Sequence, residues 1–174
     1  MNENIRIVDN FLAKDEFDQL QSVIMSTAFP WYFNPYVVYH SELKDLNLSQ
    51  FTHQIFTGRD GVESAGHKLI RPIIDKLNVK SIVRIKANLL IKTENIKEHS
   101  FHSDFKNNRT AIYYVNTNNG YTKFANGKKI DSVENRLIDF DSNMEHTGST
   151  CTDQKCRIVI NINYYPFVNE VIDE

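Results

Sequence analysis

This chain has little that points to covalent stapling or to a membrane. Its 174 residues include two cysteines, Cys151 and Cys156, too few to cross-link a small secreted fold, so both read as reduced thiols. No apolar run approaches the ~20 residues that a bilayer-spanning helix needs. The opening Met1-Asn2-Glu3-Asn4 lacks the basic and apolar regions of a secretory signal, so a cytoplasmic location is expected. Lys and Arg total 20 against 22 Asp and Glu, a net charge of −2, which disfavours a protein that grips nucleic acid through its phosphates. Internal repeats, low-complexity segments and linkers are also missing. What is present is 41% hydrophobic residues, with 11% aromatic, enough for one globular domain of ordinary core size.

Residues 5–8 read as a short strand ended by Asp9-Asn10. In the next segment Phe17, Leu20, Val23 and Ile24 repeat at helical spacing, with Asp15 and Glu16 in the first turn where the helix dipole favours acids. The aromatic run 28–39 is broken by Pro30 and Pro35, which excludes a long helix. A second helix is expected over about 64–77, kinked or divided at Pro72. Beyond Asn78 the pattern changes to short β-type runs at 81–92, 100–104, 110–116, 121–124, 136–139 and 157–165. The Asn-Thr-Asn-Asn-Gly stretch at 116–120 reads as a turn that exploits positive φ. Helices followed by many short strands predict an α+β, mainly β domain, an antiparallel sandwich or barrel with helices outside it. The single domain is taken as 1–174, with 1–78 as helical support and 79–168 as the β core.

One group of residues carries chemistry. His102 and Asp104 stand two apart, so on a strand they project to one face. His146, on a later neighbouring strand, can supply a third ligand. Two imidazoles and a carboxylate on one side of a metal leave the other side open, the arrangement suited to non-haem Fe(II). His99, an odd number of positions away, faces elsewhere if the strand is straight. Arg157 begins the run Arg-Ile-Val-Ile-Asn-Ile-Asn-Tyr, whose inner face carries Arg157, Val159, Asn161 and Asn163. A buried guanidinium there needs an anion, and the far carboxylate of a metal-chelating dicarboxylate would provide one.

At these residues the sequence resembles the Fe(II)- and 2-oxoglutarate-dependent oxygenases of the prolyl-hydroxylase-like branch. The resemblance spans about 81–165, and more faintly the N-terminal helices. It rests on Phe-His-Ser-Asp (101–104), Thr-Ala-Ile-Tyr-Tyr-Val-Asn (110–116), Gly-Tyr-Thr-Lys-Phe (120–124), Asn-Arg-Leu-Ile-Asp-Phe (135–140), Glu-His-Thr-Gly (145–148) and Arg157. It implies a double-stranded β-helix, or jelly roll, with N-terminal helices packed on one sheet. It also implies Fe(II) held by His102, Asp104 and His146, with 2-oxoglutarate and O2 as co-substrates. Decarboxylation to succinate and CO2 would be coupled to hydroxylation of a C–H bond. Carried over by position, Tyr114 would bind the distal carboxylate beside Arg157, with Thr110 and Ile112 on its side of the strand. Thr122 would line the pocket, and Asn88 would add a polar contact. Leu90 stands where members of the branch often have Tyr. Asn163 stands where the nucleic-acid demethylases carry a second arginine, which counts against that substrate class.

Two other readings of the same residues are a cupin-like metalloenzyme that does not use 2-oxoglutarate and a non-enzymatic jelly-roll module with a structural metal. The substrate is expected to be an amino acid, a peptidyl side chain or a small metabolite, with Asn161, Asn163 and Trp31 as contacts. Oligomeric state is not legible. His40, His53 and His67 read as surface or helix-packing residues, Arg136 as structural, and Lys123, Lys128 and Lys129 as a solvated turn.

Overall fold

The alternating runs after Asn78 supply most of the strands, and the computed structural model shows how they assemble. It describes residues 4–44, 48–59 and 61–167; the ends of the predicted domain, 1–3 and 168–174, lie outside the described residues. The first half contains β1 (Arg6–Val8), α1 (Lys14–Ile24), β2 (Tyr32–Asn34), a 3-10 turn (His40–Lys44), β3 (Gln50–Thr57), β4 (Val62–Glu63) and α2 (Gly66–Lys76). The second contains β5 (Val79–Ile91), β6 (Arg109–Tyr114), β7 (Tyr121–Phe124), β8 (Lys129–Asp131), β9 (Arg136–Asp141), β10 (His146–Gly148) and β11 (Cys156–Pro166).

The strands form a major sheet of order β1-β9-β6-β11-β5-β3-β2, with β4 added to β3, and a minor sheet of order β10-β7-β8. Every strand pair among the described residues is antiparallel, as in a jelly roll. Two isolated bridges, Glu98 to Ser149 and His102 to His146, lay the segment before β6 beside β10. The first members of these bridges stand four positions apart and the second members three, so this segment carries one extra residue, as a bulge does.

Side-chain alternation along β11 divides the interior. Ile158, Ile160, Ile162 and Tyr164 face the helices, where they meet Phe17, Leu20 and Ile24 of α1 and Ile70, Ile73 and Ile74 of α2. On the other side Val159 joins Ile112, Tyr114, Phe124, Ile130, Ile138 and Phe140 between the sheets. Both helices therefore pack on the outer face of the major sheet, as expected. Val23, expected on the buried stripe of α1, is 40% exposed. At 3.6 residues per turn it lies about 120° round the helix from Phe17, outside the stripe. Pro72 lies inside α2, which continues as one element.

The first 78 residues are more than helical support, since β1 to β4 all join the major sheet and β3 lies within it. β3 escapes a reading by hydrophobicity because it buries Gln50 on its cavity face and His53 on its helix-side face. Instead of packing at the surface or on a helix, His53 sits in this strand with Nδ1 2.7 Å from the Pro30 carbonyl and Nε2 2.8 Å from Ser64 Oγ. The 116–120 stretch also differs from expectation, since none of its residues has positive φ. Its amides bind backbone instead: Asn116 Oδ1 accepts from Ile158 N–H, and Asn118 Oδ1 accepts from Gly120 N–H.

Positive φ appears at Asn135, where φ is 57°. Its side chain clamps the N-terminal segment to the sheet. Oδ1 accepts the Leu12 N–H and the Tyr113 hydroxyl, each at 2.8 Å, and Nδ2 donates to the Leu12 carbonyl at 3.0 Å. Asn135→Ala would strand two buried donors and leave a Cβ-bearing residue in the left-handed region without its polar compensation. Two orphaned groups imply a loss of about 2–5 kcal/mol, measurable by urea unfolding of variant and parent. A change below about 1 kcal/mol would show that the clamp is not needed.

Candidate metal centre

The bridge between His102 and His146 places two imidazoles side by side, with backbone hydrogen bonds of 3.0 and 2.9 Å in the two directions. Their ring centroids are 4.7 Å apart. His102 Nδ1 donates to the Ser100 carbonyl at 3.3 Å, and His146 Nδ1 donates to the Met144 carbonyl at 3.1 Å. A carbonyl only accepts, so each Nδ1 carries the proton and each Nε2 keeps its lone pair. The Nε2 atoms lie 4.0 and 3.9 Å from the two oxygens of Asp104. Ligand atoms of the three residues all fall within 4.8 Å of one another.

Asp104 is anchored independently of the imidazoles. Thr110 Oγ1 and Asn163 Nδ2 donate to Oδ2 at 2.9 and 3.0 Å, and Arg84 lies 3.4 Å from Oδ1. Burial pushes the Asp104 carboxyl up, but His146, Arg84 and the two hydrogen bonds outweigh it and hold the group below its ordinary value. Burial, followed by the neighbouring His146, lowers His102 against the pull of Asp104. An ionised carboxylate beside a neutral imidazole is the protonation state that a divalent ion requires.

These three residues open onto a cavity of about 440 Å³, lined also by Arg84, Lys86, Asn88, Leu90, Ile112, Thr122, Arg157, Val159 and Asn161. Arg157 is 2% exposed. Its Nε donates to Ser132 Oγ at 2.7 Å, one terminal nitrogen donates to Thr122 Oγ1 at 3.2 Å, and the guanidinium lies 5.7 Å from the Tyr114 ring centre. The Tyr114 hydroxyl donates to the same Thr122 oxygen at 2.8 Å. Among the described residues no carboxylate pairs with Arg157. Glycine is required where the chain passes this side chain: a Cβ on Gly120 would stand 2.7 Å from Arg157 Cδ.

The structure thus brings His102, Asp104 and His146 together and places Arg157, Thr122, Asn88 and Asn161 around the same cavity. Tyr114 is fully buried behind Thr122. Asn163 does not line the cavity. It is fully buried and spends its side chain on Asp104, Thr110 and Arg84. Trp31 also stands apart, packed edge-on against Phe29 at 5.0 Å on the helix side of the sheet. From the aromatic run it is Val37, Val38 and Tyr39 that reach the cavity. His99 lines the cavity although parity turned it away, because the extra residue of the bulge interrupts the alternation. It is not one of the three clustered ligands. Arg84, Lys86 and Ser132 were not foreseen. The signal for the first two was present, since they share strand parity with Asn88.

The donor set fits a divalent metal with an open side, and the uncompensated Arg157 fits the far carboxylate of a dicarboxylate chelate. Protonation should oppose both metal binding and folding. The folded His102 titrates below the unfolded value of 6.5, so metal-free protein should lose stability as pH falls from 6.5 toward the folded value. Asp104 is depressed from 3.8, so its contribution is present above that pH and is lost as pH falls through its folded value. Urea unfolding between pH 8 and 4 measures the upper step, and His102→Asn should flatten it. An unaltered step in that variant would assign it to another group.

No protein-family model and no curated protein matches the chain. Solved structures do. A prolyl-4-hydroxylase from Pseudomonas putida is 14% identical, with TM-score 0.61 and 94% of each chain covered. A prolyl hydroxylase from Trichoplax adhaerens, solved with a hypoxia inducible factor oxygen degradation domain peptide, is 15% identical with TM-score 0.63, covering 94% of this chain and 84% of that one. A 2OG-Fe(II) oxygenase family oxidoreductase from Burkholderia pseudomallei is 12% identical with TM-score 0.64, covering 92% and 84%. The chain has the jelly-roll fold of the prolyl-hydroxylase-like 2-oxoglutarate oxygenases.

Proposed function

We propose that this chain is an Fe(II)- and 2-oxoglutarate-dependent dioxygenase that hydroxylates an amino-acid, peptidyl or small-metabolite substrate. The observation that carries the reading is one cavity with two complementary features: a His-Asp-His cluster, and a buried arginine with no anionic partner among the described residues. An uncompensated buried guanidinium is costly, and a site retains one where a ligand supplies the anion. His102, Asp104 and His146 would hold Fe(II), and Arg157, with Thr122 and Tyr114 behind it, would bind the distal carboxylate of 2-oxoglutarate. Held by these residues, Fe(II) and 2-oxoglutarate would supply the chemistry that couples decarboxylation by O2, giving succinate and CO2, to oxidation of a substrate C–H bond.

The chain's own residues do the positioning. The two carbonyl acceptors fix both imidazole tautomers. Thr110, Asn163 and Arg84 keep Asp104 ionised and oriented. Ser132 and Thr122 hold the guanidinium, while Leu90, Ile112 and Val159 supply apolar lining. A cupin-like enzyme that ignores 2-oxoglutarate would leave Arg157 without a purpose. A structural metal would be closed by four protein ligands rather than opening onto a cavity. The Trichoplax relative's bound peptide supports a peptidyl substrate as one of the classes. A cytoplasmic location belongs to the same proposal; among the described residues no helix is long and apolar enough to cross a membrane.

Arg157→Gln tests the co-substrate directly. A charge-assisted hydrogen bond contributes roughly 1.5–3 kcal/mol, so 2-oxoglutarate affinity should fall by about one to two orders of magnitude while Fe(II) affinity holds. Anaerobic titration of the Fe(II) protein, followed by the metal-to-ligand charge-transfer band, reads both. Unchanged 2-oxoglutarate affinity in a folded variant would sink the assignment. Separately, His102→Ala and Asp104→Ala should each abolish succinate formation, whereas His99→Ala should retain metal. Metal loss only in the His99 variant would overturn the ligand set.

A further inference from the structure

One face of the major sheet forms a ladder of cross-strand rows under the cavity. Arg157 pairs with Leu90; Val159 with Asn88 and Tyr114; Asn161 with Lys86 and Ile112; Asn163 with Arg84 and Thr110. The first row supplies the guanidinium, and the last holds Asp104. The Lys86–Asn161 row adjoins the row of Asp104, two residues away or about 6.6 Å along the strand. It is therefore close to where chemistry would occur; Lys86 has no part in the roles assigned above, and Asn161 has only the expected one of a substrate contact.

Both residues have unused polar atoms. Lys86 lines the cavity, yet among the described residues its ammonium makes no hydrogen bond or ion pair. Asn161 Oδ1 is buried with no hydrogen-bond partner. The other two cations of the cavity are engaged, Arg84 with Asp104, Asn163 and the Phe105 ring, and Arg157 with Ser132 and Thr122. Burial, and then Arg84, push Lys86 down to about 8 despite the pull of Asp104, so its charge is held at a cost to the folded protein.

The charges of the cavity indicate what is missing. Arg84, Lys86 and Arg157 exceed Asp104 and Glu145 by one positive charge among the lining residues, leaving imidazoles aside. A divalent ion and the 2-oxoglutarate dianion cancel, so the loaded site keeps that excess. A monoanion on Lys86 would neutralise it.

We propose that Lys86 and Asn161 form the subsite for the primary substrate, Lys86 binding a carboxylate and Asn161 Oδ1 accepting an N–H or O–H of the same molecule. This rests on the oxygenase reading above and narrows its substrate to carboxylate-bearing compounds. The carboxylate can come from a free amino acid, a peptide C-terminus or an acidic side chain. A cavity of about 440 Å³ admits a residue-sized group beside the co-substrate and does not enclose a folded partner.

Calorimetric titration of the anaerobic protein loaded with Fe(II) and 2-oxoglutarate tests the subsite. The probes are the free amino acids and a dipeptide set, each paired with its C-terminal amide, and capped peptides of Asp and Glu paired with Asn and Gln. At least one acid should bind ten-fold or more tightly than its amide. The probe set in which this occurs identifies the source of the carboxylate. Lys86→Met should abolish the preference, Lys86→Arg should retain it, and Asn161→Leu should weaken the acid and the amide alike. 2-Oxoglutarate affinity should be unchanged in all three. Acid and amide binding alike, or neither binding, overturns the subsite, as does a Lys86→Met loss in 2-oxoglutarate affinity. If 2-oxoglutarate itself fails to bind the parent protein, the oxygenase reading has failed first, and the two failures are distinguishable in one series.

Discussion

The strand β11 is buried on both faces, and its period of two is the constraint on which the rest depends. Every second residue must suit an apolar helix-packed core, and every other residue must suit the inner face that carries the site. Ile158, Ile160 and Ile162 satisfy the first requirement, and Arg157, Asn161 and Asn163 the second. A one-residue slip against β5 or β6 would drive three polar groups into the core and three isoleucines into the site. Register and function are thus specified by the same side chains. The eleven paired positions shared with β5 make that register hard to shift.

Around this strand the buried charges are arranged with unequal completeness. Asp104 is surrounded, with two hydrogen bonds, an arginine and two imidazoles, and its ionised form is stabilised before any metal arrives. Arg157 has neutral partners only, and Lys86 makes neither hydrogen bond nor ion pair among the described residues. A purely structural network would not be left in that state, because an unpaired buried charge subtracts from stability. The imbalance has one sign. The carboxylate side of the site is compensated by protein groups, and the cationic side is not.

Much of this was legible in the sequence because it depends on period and residue type. An antiparallel sandwich or barrel followed from helices preceding short alternating strands, the jelly roll itself came from the family resemblance, and β5, β6, β7, β9 and β11 fall close to where alternation put them. The ligand cluster followed from the spacing of His102, Asp104 and His146, although their segment is an extended stretch with single bridges rather than a full strand. What failed was local or negative in character. β3 carries buried Gln50 on one face and buried His53 on the other, so neither face looks apolar. The bulge before β6 is invisible in composition, and it put His99 on the cavity against parity. Asn163 was placed on the correct face but in the wrong role, since sequence cannot show that Asp104 already claims its amide. Trp31 was drawn toward the site by its aromatic neighbours, when Phe29 and the helix-side core provide its contacts.

The uneven charge arrangement also links binding to folding. Any ligand that binds only the folded state adds stability by mass action, and each ligand here would remove a specific defect of the free protein. A divalent cation would satisfy two inward-facing Nε2 lone pairs and a carboxylate that lie about 4 Å apart. A distal carboxylate would satisfy Arg157. An anionic substrate group would satisfy Lys86, the last uncompensated cation. The three defects lie on one cavity, and the two cations rise from the single sheet whose other face is the helix-packed core. Both cations stand on β5 and β11, so binding at either would draw on the same folded strands, and loading of the site and folding would be linked equilibria.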